Sequence, residues 1–300
     1  MEKRNFRKML EAQWDKGNFV CVGLDSELSK IPESVRDRFE CNRFECMGGI
    51  SETISVFNRE IIEATKDIAC AYKPNIAFYE EHGEDGIIAL RRTVNYIRKL
   101  APDVPVILDA KRADIGNTNA GYMQMAFKYL EADAITVHPY LGAEALQPFL
   151  DCADKGIIVL CRTSNPGAGE FQDLPVHSDP LYLGEPLYHY IARSVAIRWN
   201  KNNNCAIVVG ATYPDELKKI RRVVGDLPIL IPGIGFQQKD VPLEKQVEQV
   251  VSAGQDSRGR GMIINSSRGI IFASKGADFA EAARRETKKL HNLINKYRNA

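Results

Sequence analysis

Short apolar runs rich in valine, isoleucine and cysteine recur eight times along the chain. Each run is nearly continuous in hydrophobicity, which is typical of strands that are buried on both faces of a parallel sheet. The runs predict strands at residues 19–24, 68–74, 104–110, 134–139, 156–162, 205–211, 228–233 and 261–267.

Longer segments with helical spacing separate these runs, and the clearest are residues 51–65, 86–100, 215–224 and 278–297. In the first of them Ile54, Phe57, Ile61 and Ile62 form an apolar stripe. Alternation of strands and helices implies βαβ units, and eight such units predict an α/β protein with a closed (β/α)8 TIM barrel. We expect one domain over residues 1–300. An open doubly wound sheet is the alternative, although no Gly-x-Gly-x-x-Gly motif follows the first strand.

Two connections between the predicted elements are long. Residues 26–49 follow the first strand, and residues 163–186 follow the fifth. Active sites of barrels lie at the carboxyl ends of the strands, so both segments are candidates for lids or substrate-binding loops. A surface insertion without function is the alternative for each.

Charge and cysteine content narrow the class of protein. Forty basic residues face 39 acidic ones, so the balance favours neither nucleic acid nor a membrane surface as a partner. The seven cysteines are irregularly spaced without a Cys-x-x-Cys pair, which argues against a zinc site and favours a reducing compartment. The charged amino terminus does not resemble a signal peptide, and no apolar run has membrane-spanning length. We expect a cytoplasmic protein.

The strongest chemical signal is a cluster of charges where the third strand ends. Asp109 and Lys111 are two residues apart on a predicted strand, so their side chains should point to the same side. Asp114 follows in the loop that leads to the next helix. The cluster is either an ion pair that closes the end of the barrel or a functional site. Buried ion pairs contribute little net stability, which favours the functional interpretation.

Other strand ends carry further candidates. Lys73 ends the second strand and would face Asp109 if those strands are neighbours, whereas a solvated charge is the alternative. The first strand ends at Asp25, which could equally be a turn residue. Ser164 follows the fifth strand. The glycine-rich turn 232–237 and Arg268 follow the last two strands, where barrels commonly bind phosphate. His138 is interpreted as structural rather than catalytic.

Residues 109–118, DAKRADIGNT, resemble the Asp-x-Lys-x-x-Asp-Ile-x-x-Thr signature of orotidine 5′-phosphate decarboxylases. The outlying elements occur in a similar order: Asp after the first strand, Lys after the second, Ser-x-Pro-Gly after the fifth, Pro-Gly-x-Gly-x-Gln after the seventh, and Arg after the eighth. The resemblance covers essentially the whole chain, and its length is similar to that of the longer bacterial subgroup. Asn165 and Ser267 depart from the residues common in relatives.

The resemblance implies a role for each candidate. It implies a (β/α)8 barrel that converts orotidine monophosphate to uridine monophosphate in pyrimidine biosynthesis, as a homodimer with shared active sites and without a metal or cofactor. Lys73, Asp109, Lys111 and Asp114 would form the catalytic charge network, with Asp114 reaching the partner's site. The implied substrate-binding residues are Asp25 for the ribose, Thr118 from the partner side, Ser164 for the pyrimidine, and Gln237 and Arg268 for the phosphate.

The expected chemistry needs a stabilised carbanion at carbon six of the pyrimidine. Cofactors commonly supply an electron sink for such reactions, and no pyridoxal, thiamine or metal motif stands out. We therefore expect the Lys111 ammonium to stabilise the carbanion and donate its proton. A magnesium-dependent sugar-phosphate enzyme of the same superfamily is one alternative, and a barrel that binds a nucleotide without turnover is another.

Overall fold

The eight apolar runs form the strands of one sheet in the computed structural model, which describes residues 4–39, 49–177, 183–235 and 240–298. The sheet order is β2-β1-β8-β7-β6-β5-β4-β3, and the pairs β1–β2, β5–β6, β6–β7 and β7–β8 are parallel. The strands are β1 Val20–Gly23, β2 Ala69–Lys73, β3 Ile107–Arg112, β4 Ala134–Val137, β5 Gly156–Arg162, β6 Cys205–Val209, β7 Ile229–Pro232 and β8 Met262–Ser266.

Helices alternate with the strands, as the sequence predicted. In the first predicted helix, the stripe of Ile54, Phe57, Ile61 and Ile62 is fully buried. The α-helices are α1 Phe6–Asp15, α2 Glu33–Arg36, α3 Gly49–Thr65, α4 Ala77–Glu80, α5 Gly83–Leu100, α6 Gly116–Met123, α7 Gly142–Leu150, α8 Gly169–Gln172, α9 Leu187–Arg193, α10 Pro214–Val224, α11 Leu243–Gly254, α12 Arg268–Ile271 and α13 Phe279–Tyr297. None of the helices in the described ranges is both long enough and apolar enough to cross a membrane.

The two end strands of the sheet order, β2 and β3, meet along a seam of isolated bridges. Tyr72 bridges Val106 and Asn75 bridges Asp109, both in parallel orientation. Pro74 and Pro105 lie within this seam, and neither has an N–H group to donate, which explains why the ladder is interrupted. Bridging between the end strands gives the (β/α)8 barrel topology that the alternation predicted.

The chain divides into two compact units. The first unit contains Met1–Ala110, Gln124–Ala134 and Ser266–Asn292, and the second contains Lys111–Met123, Ile135–Asn265 and Leu293–Ala300. The core of the first unit includes stacked aromatic rings: the Phe57 ring lies 5.7 Å from that of Phe272 and 5.2 Å from that of Phe279. This packing fixes helix α3, which follows the long connection after β1.

A buried arginine organises the second unit. The Arg221 guanidinium on α10 donates to the carbonyls of Gly254 and Gly261 at 2.8 Å each, and to those of Gly225 and Leu227 at 2.6 and 2.7 Å. Four carbonyl acceptors satisfy a cation that would otherwise be costly to bury. The arginine thereby ties α10 to the end of α11 and to the segment that precedes β8.

Both long connections contain some regular structure. Residues 26–49 include a short helical turn, Leu28–Lys30, and helix α2. Residues 163–186 include α8 and a small antiparallel pair in which Pro175–Val176 faces Glu185–Pro186. Four cysteines of the strands, Cys21, Cys70, Cys161 and Cys205, are buried free thiols. Cys41 and Cys46 lie outside the described residues.

Candidate active site

Three predicted site residues meet at the carboxyl ends of β1, β2 and β3 in the first unit. The Lys73 ammonium lies 2.8 Å from Oδ2 of Asp109 and donates a hydrogen bond to it. The same ammonium lies 4.0 Å from Oδ1 of Asp25. The side chains are 4%, 12% and 17% exposed for Lys73, Asp109 and Asp25, so the cluster is largely shielded from water. The sequence placed these residues at strand ends, and the fold brings them together.

Electrostatics keep the lysine of this cluster charged. Burial by itself lowers the pKa of Lys73, but the carboxylates of Asp109 and Asp25 more than compensate and raise its pKa above the ordinary lysine value. Burial also raises the pKa of the Cys21 thiol to about 12, although Lys73 opposes this effect. The cluster therefore holds a permanent ammonium between two carboxylates, beside a thiol that stays protonated.

One carboxylate oxygen of the cluster is available for a ligand. Oδ1 of Asp25 is buried and accepts no hydrogen bond from the described residues. A buried acceptor without a donor is costly, and such atoms commonly mark places where a ligand or water binds. The partner of this oxygen must be a donor, such as a hydroxyl or an N–H group, because an ionised carboxylate can only accept.

The backbone of β3 changes course at Lys111, which belongs to the second unit. Its φ angle is 49°, in the left-handed region that residues with a side chain seldom adopt. The expectation that the Asp109 and Lys111 side chains point to the same side assumed an extended strand. The strand is not extended at Lys111, so strand alternation does not set the direction of its side chain. A left-handed residue other than glycine costs about 1–3 kcal/mol, and such residues cluster at functional sites. The Lys111 side chain is exposed.

Side chains of the second unit hold the segment that follows Lys111. Asn119, which is fully buried on α6, accepts from the Asp114 amide at 2.8 Å and donates to the Asp114 carbonyl. The His138 ring lies 3.2 Å from the carbonyl of Ala113 through Nε2, while its Nδ1 accepts from the Tyr140 amide. These bonds fix the backbone of residues 113–114 and leave the half-buried Asp114 carboxylate at the surface of the unit.

Thr118 lies on the exposed side of α6. Its side chain is exposed, as is that of Ile115, of which 61% is accessible. The structure thus places Thr118 and Asp114 next to an accessible apolar residue.

The Ser164 loop is braced by the loop that follows β6. Gly210 allows this contact, because a Cβ atom there would lie only 2.7 Å from both Cα and Cβ of Ser164. Thr212 donates to the Ser164 carbonyl at 3.3 Å. Arg162, buried at the end of β5, contacts Asp173 at 3.1 Å and stacks 4.0 Å from the ring centre of Tyr213. The predicted pyrimidine-binding loop is therefore held from both sides.

The two predicted phosphate-binding elements are described only in part. Gly233 and Gly235 have φ angles of 107° and 83°, which explains the glycines in this turn, whereas Gln237 lies outside the described residues. Arg268 begins α12 and its side chain is exposed. It lies within electrostatic reach of Glu27, whose pKa is lowered mainly by the hydrogen bond from Lys30 and to a smaller extent by Arg268.

Sequence reasoning missed three buried polar residues that support the candidates: Asn119, Thr136 and Arg162. Threonine in an apolar strand carries no distinctive signal, whereas Arg162 ends an apolar run, and that charge was the signal available for it. Asn119 directly follows the motif 109–118, and its position was the available signal. Across the described ranges, no three His, Cys, Asp or Glu side chains are grouped so that they could hold a metal ion.

A family model matches residues 19–285, and its description is orotidine 5′-phosphate decarboxylase / HUMPS family. The chain belongs to this family. It is 45% identical over 296 residues to the orotidine 5′-phosphate decarboxylase of Cupriavidus metallidurans, covering 98% of this chain and 99% of that protein. The similarity therefore extends over almost the full length of both proteins.

Solved structures agree with this family and with the barrel fold. The OMP decarboxylase of Leishmania donovani is 33% identical, with a TM-score of 0.76 over 97% of this chain and 99% of that one. The UMP synthase of the same organism is 34% identical, with a TM-score of 0.79 over 99% of this chain and 58% of that one. The similarity confirms the fold class that the strand pattern predicted.

Proposed function

We propose that the chain decarboxylates orotidine 5′-monophosphate to uridine 5′-monophosphate, with Lys111 as carbanion stabiliser and proton donor. The observation that carries this proposal is the buried cluster of Asp25, Lys73 and Asp109 in a member of this family. Three charges at one set of strand ends are costly for stability, so a catalytic use accounts for them better than a structural one.

The reaction balances with one proton. The bond between carbon six and the carboxylate breaks, carbon dioxide leaves, and the electron pair stays on carbon six. That carbon takes a proton from Nζ of Lys111, which regains one from water because its side chain is exposed. In this proposal Asp109 and Asp114 position the ammonium, and Lys73 balances their charge. The raised pKa of Lys73 suits that role, because the residue stays cationic.

A second set of residues binds the substrate in this proposal. Asp25 accepts from a ribose hydroxyl, which would satisfy its buried Oδ1. Ser164 hydrogen-bonds the pyrimidine from a braced loop. Arg268 and Gln237 bind the phosphate, for which the exposed guanidinium of Arg268 provides charge-assisted donors.

We further propose a homodimer in which Asp114 and Thr118 contribute to the partner's site. Thr118 is exposed and Asp114 is half-buried, so a partner chain could reach both side chains. Mixing inactive Lys111→Ala and Asp114→Ala chains tests the idea. Hybrid dimers would contain one intact site, so the mixture should regain activity, to roughly a quarter of the wild-type level for a two-fold dimer. No regain would contradict shared sites.

The decisive test of activity is the loss of orotidine monophosphate absorbance with EDTA present. We expect turnover in the wild type and almost none in Lys111→Ala. Lys16→Ala is a matched control, because it removes an exposed lysine from a surface ion pair and should retain full activity. If the wild type shows no turnover with EDTA but acts on a sugar phosphate with magnesium, the proposal is wrong and the alternative within the superfamily replaces it.

A further inference from the structure

The unusual backbone at Lys111 is held by one side chain of the neighbouring strand. The Lys111 amide donates to Oγ1 of Thr136 on β4 at 2.9 Å. Thr136 is buried, with 1% of its surface exposed, so water does not compete for this bond. Lys111, whose φ angle is 49°, is therefore the residue whose amide binds the Thr136 hydroxyl. The same residue carries the proposed proton donor.

The next backbone bond shows what the threonine contributes. The His138 amide, directly after β4, donates to the Arg112 carbonyl at the end of β3 at 3.1 Å, which is an ordinary backbone bond between neighbouring strand ends. At Lys111 a side-chain oxygen accepts instead, and a side chain projects above or below the sheet, whereas a backbone carbonyl points along it toward the next strand. This allows the chain to turn away from the strand direction at Lys111 while its amide stays satisfied.

We propose that Thr136 is a positioning residue for Lys111: its hydroxyl holds the left-handed backbone that directs the Lys111 ammonium toward the reacting carbon. The inference rests on the proposed function, in which Lys111 stabilises the carbanion and protonates it. Thr136 acts through the Lys111 backbone and need not touch the substrate.

Thr136→Val tests this directly, because valine keeps the shape but removes the acceptor. Without it the left-handed backbone can relax, and a displacement of about 1 Å at a catalytic group commonly costs about 100-fold in rate. We expect kcat to fall by about 10- to 100-fold while KM changes by less than about threefold, since Thr136 does not bind substrate. Thr136→Ser, which retains the hydroxyl, should restore kcat to within about threefold of the wild type.

A second measurement reports on Lys111 without decarboxylation. Proton transfer is reversible in principle, so the enzyme should exchange the hydrogen on carbon six of uridine monophosphate in deuterated water. Thr136→Val should slow this exchange by a factor similar to its loss of kcat. Thr287→Val is the matched control, because it removes a fully buried hydroxyl that donates to the Ala283 carbonyl within α13. Its kcat and exchange rate should stay near those of the wild type.

Several results would overturn the inference. Unchanged kcat in Thr136→Val, no rescue by serine, or an equal loss in Thr287→Val would each show that Thr136 does not position Lys111. If Thr136→Val fails to fold, Thr136→Cys replaces it, since a thiol is similar in size but accepts hydrogen bonds weakly. A wild type without turnover refutes the proposed function itself, whereas an active wild type with a normal valine variant refutes this inference alone.

Discussion

Replacing Lys73 with methionine would remove the cation from the cluster while keeping most of its apolar stem. Asp109, 2.8 Å from the ammonium, and Asp25, 4.0 Å from it, would be left without this partner. At an effective dielectric constant of about 20, these separations correspond to attractions of about 6 and about 4 kcal/mol. Desolvation offsets much of both, and removing one member of a buried ion pair typically costs about 3–5 kcal/mol. We expect a loss of that size in the free energy of unfolding.

Urea unfolding followed by fluorescence measures this loss, and Lys30→Met provides the matched control. Lys30 pairs with Glu27 at 2.6 Å, a shorter distance than in the Lys73 pair, but 46% of the Lys30 side chain is exposed. An exposed pair contributes about 1 kcal/mol or less, so this control should unfold nearly like the wild type. The comparison separates burial from distance as the source of the effect.

The dependence on pH gives the prediction a second check. In Lys73→Met the folded protein can relieve the repulsion between its carboxylates by binding a proton, whereas the unfolded chain gains less from doing so. The loss in the free energy of unfolding of Lys73→Met, relative to the wild type, should therefore become smaller as the pH is lowered from about 8 to about 5. A loss below about 1 kcal/mol at neutral pH, or a deficit that does not change with pH, would refute the reasoning that the cluster is a buried, mutually dependent set of charges.

Two further substitutions test separate parts of the structure. Gly210→Ala places a Cβ atom 2.7 Å from Ser164, so we expect at least a tenfold loss in kcat/KM, whereas Gly167→Ala in the same loop meets only an ordinary contact at 3.8 Å and should be tolerated. Equal effects in steady-state kinetics would contradict this. The hydrogen bond from Arg284 lowers the pKa of Asp67, so Asp67 stabilises the fold above its ordinary pKa of 3.8 and loses this contribution as the pH falls. Asp67→Asn should cost roughly 0.5 kcal/mol near neutral pH and nothing near pH 2, and a cost that persists in acid unfolding would contradict the assignment.

The sequence predicted the strands well because most of their positions are buried on both faces of the sheet. Runs such as 205–211 are apolar without interruption, and no surface position dilutes the signal. Lys73 and Asp109 were recognisable for a related reason. A charge at the end of an apolar strand is conspicuous, and neighbouring parallel strands bring their carboxyl ends to one edge of the sheet.

The supporting residues could not be predicted in the same way. Threonine is common in strands, so Thr136 does not stand out in the sequence. Only its contact with the amide of Lys111 reveals a role. The positive φ of Lys111 has no sequence signal either, because a lysine in that conformation is unusual and the expected residue is glycine. Such features depend on contacts between segments that are remote in the chain, which local patterns do not encode.

If Lys73 and Asp109 act as proposed, the seam between β2 and β3 links the stability of the barrel to its catalysis. Because Pro74 and Pro105 leave the two strands with isolated bridges, the ion pair between Lys73 and Asp109 supplies part of the attraction that joins them. A descendant lineage that abandoned the chemistry could not simply replace Lys73 with a neutral residue, since the same change would loosen the seam. We infer that descendants with a new activity would retain this pair, or would lose both charges together and replace them with apolar packing.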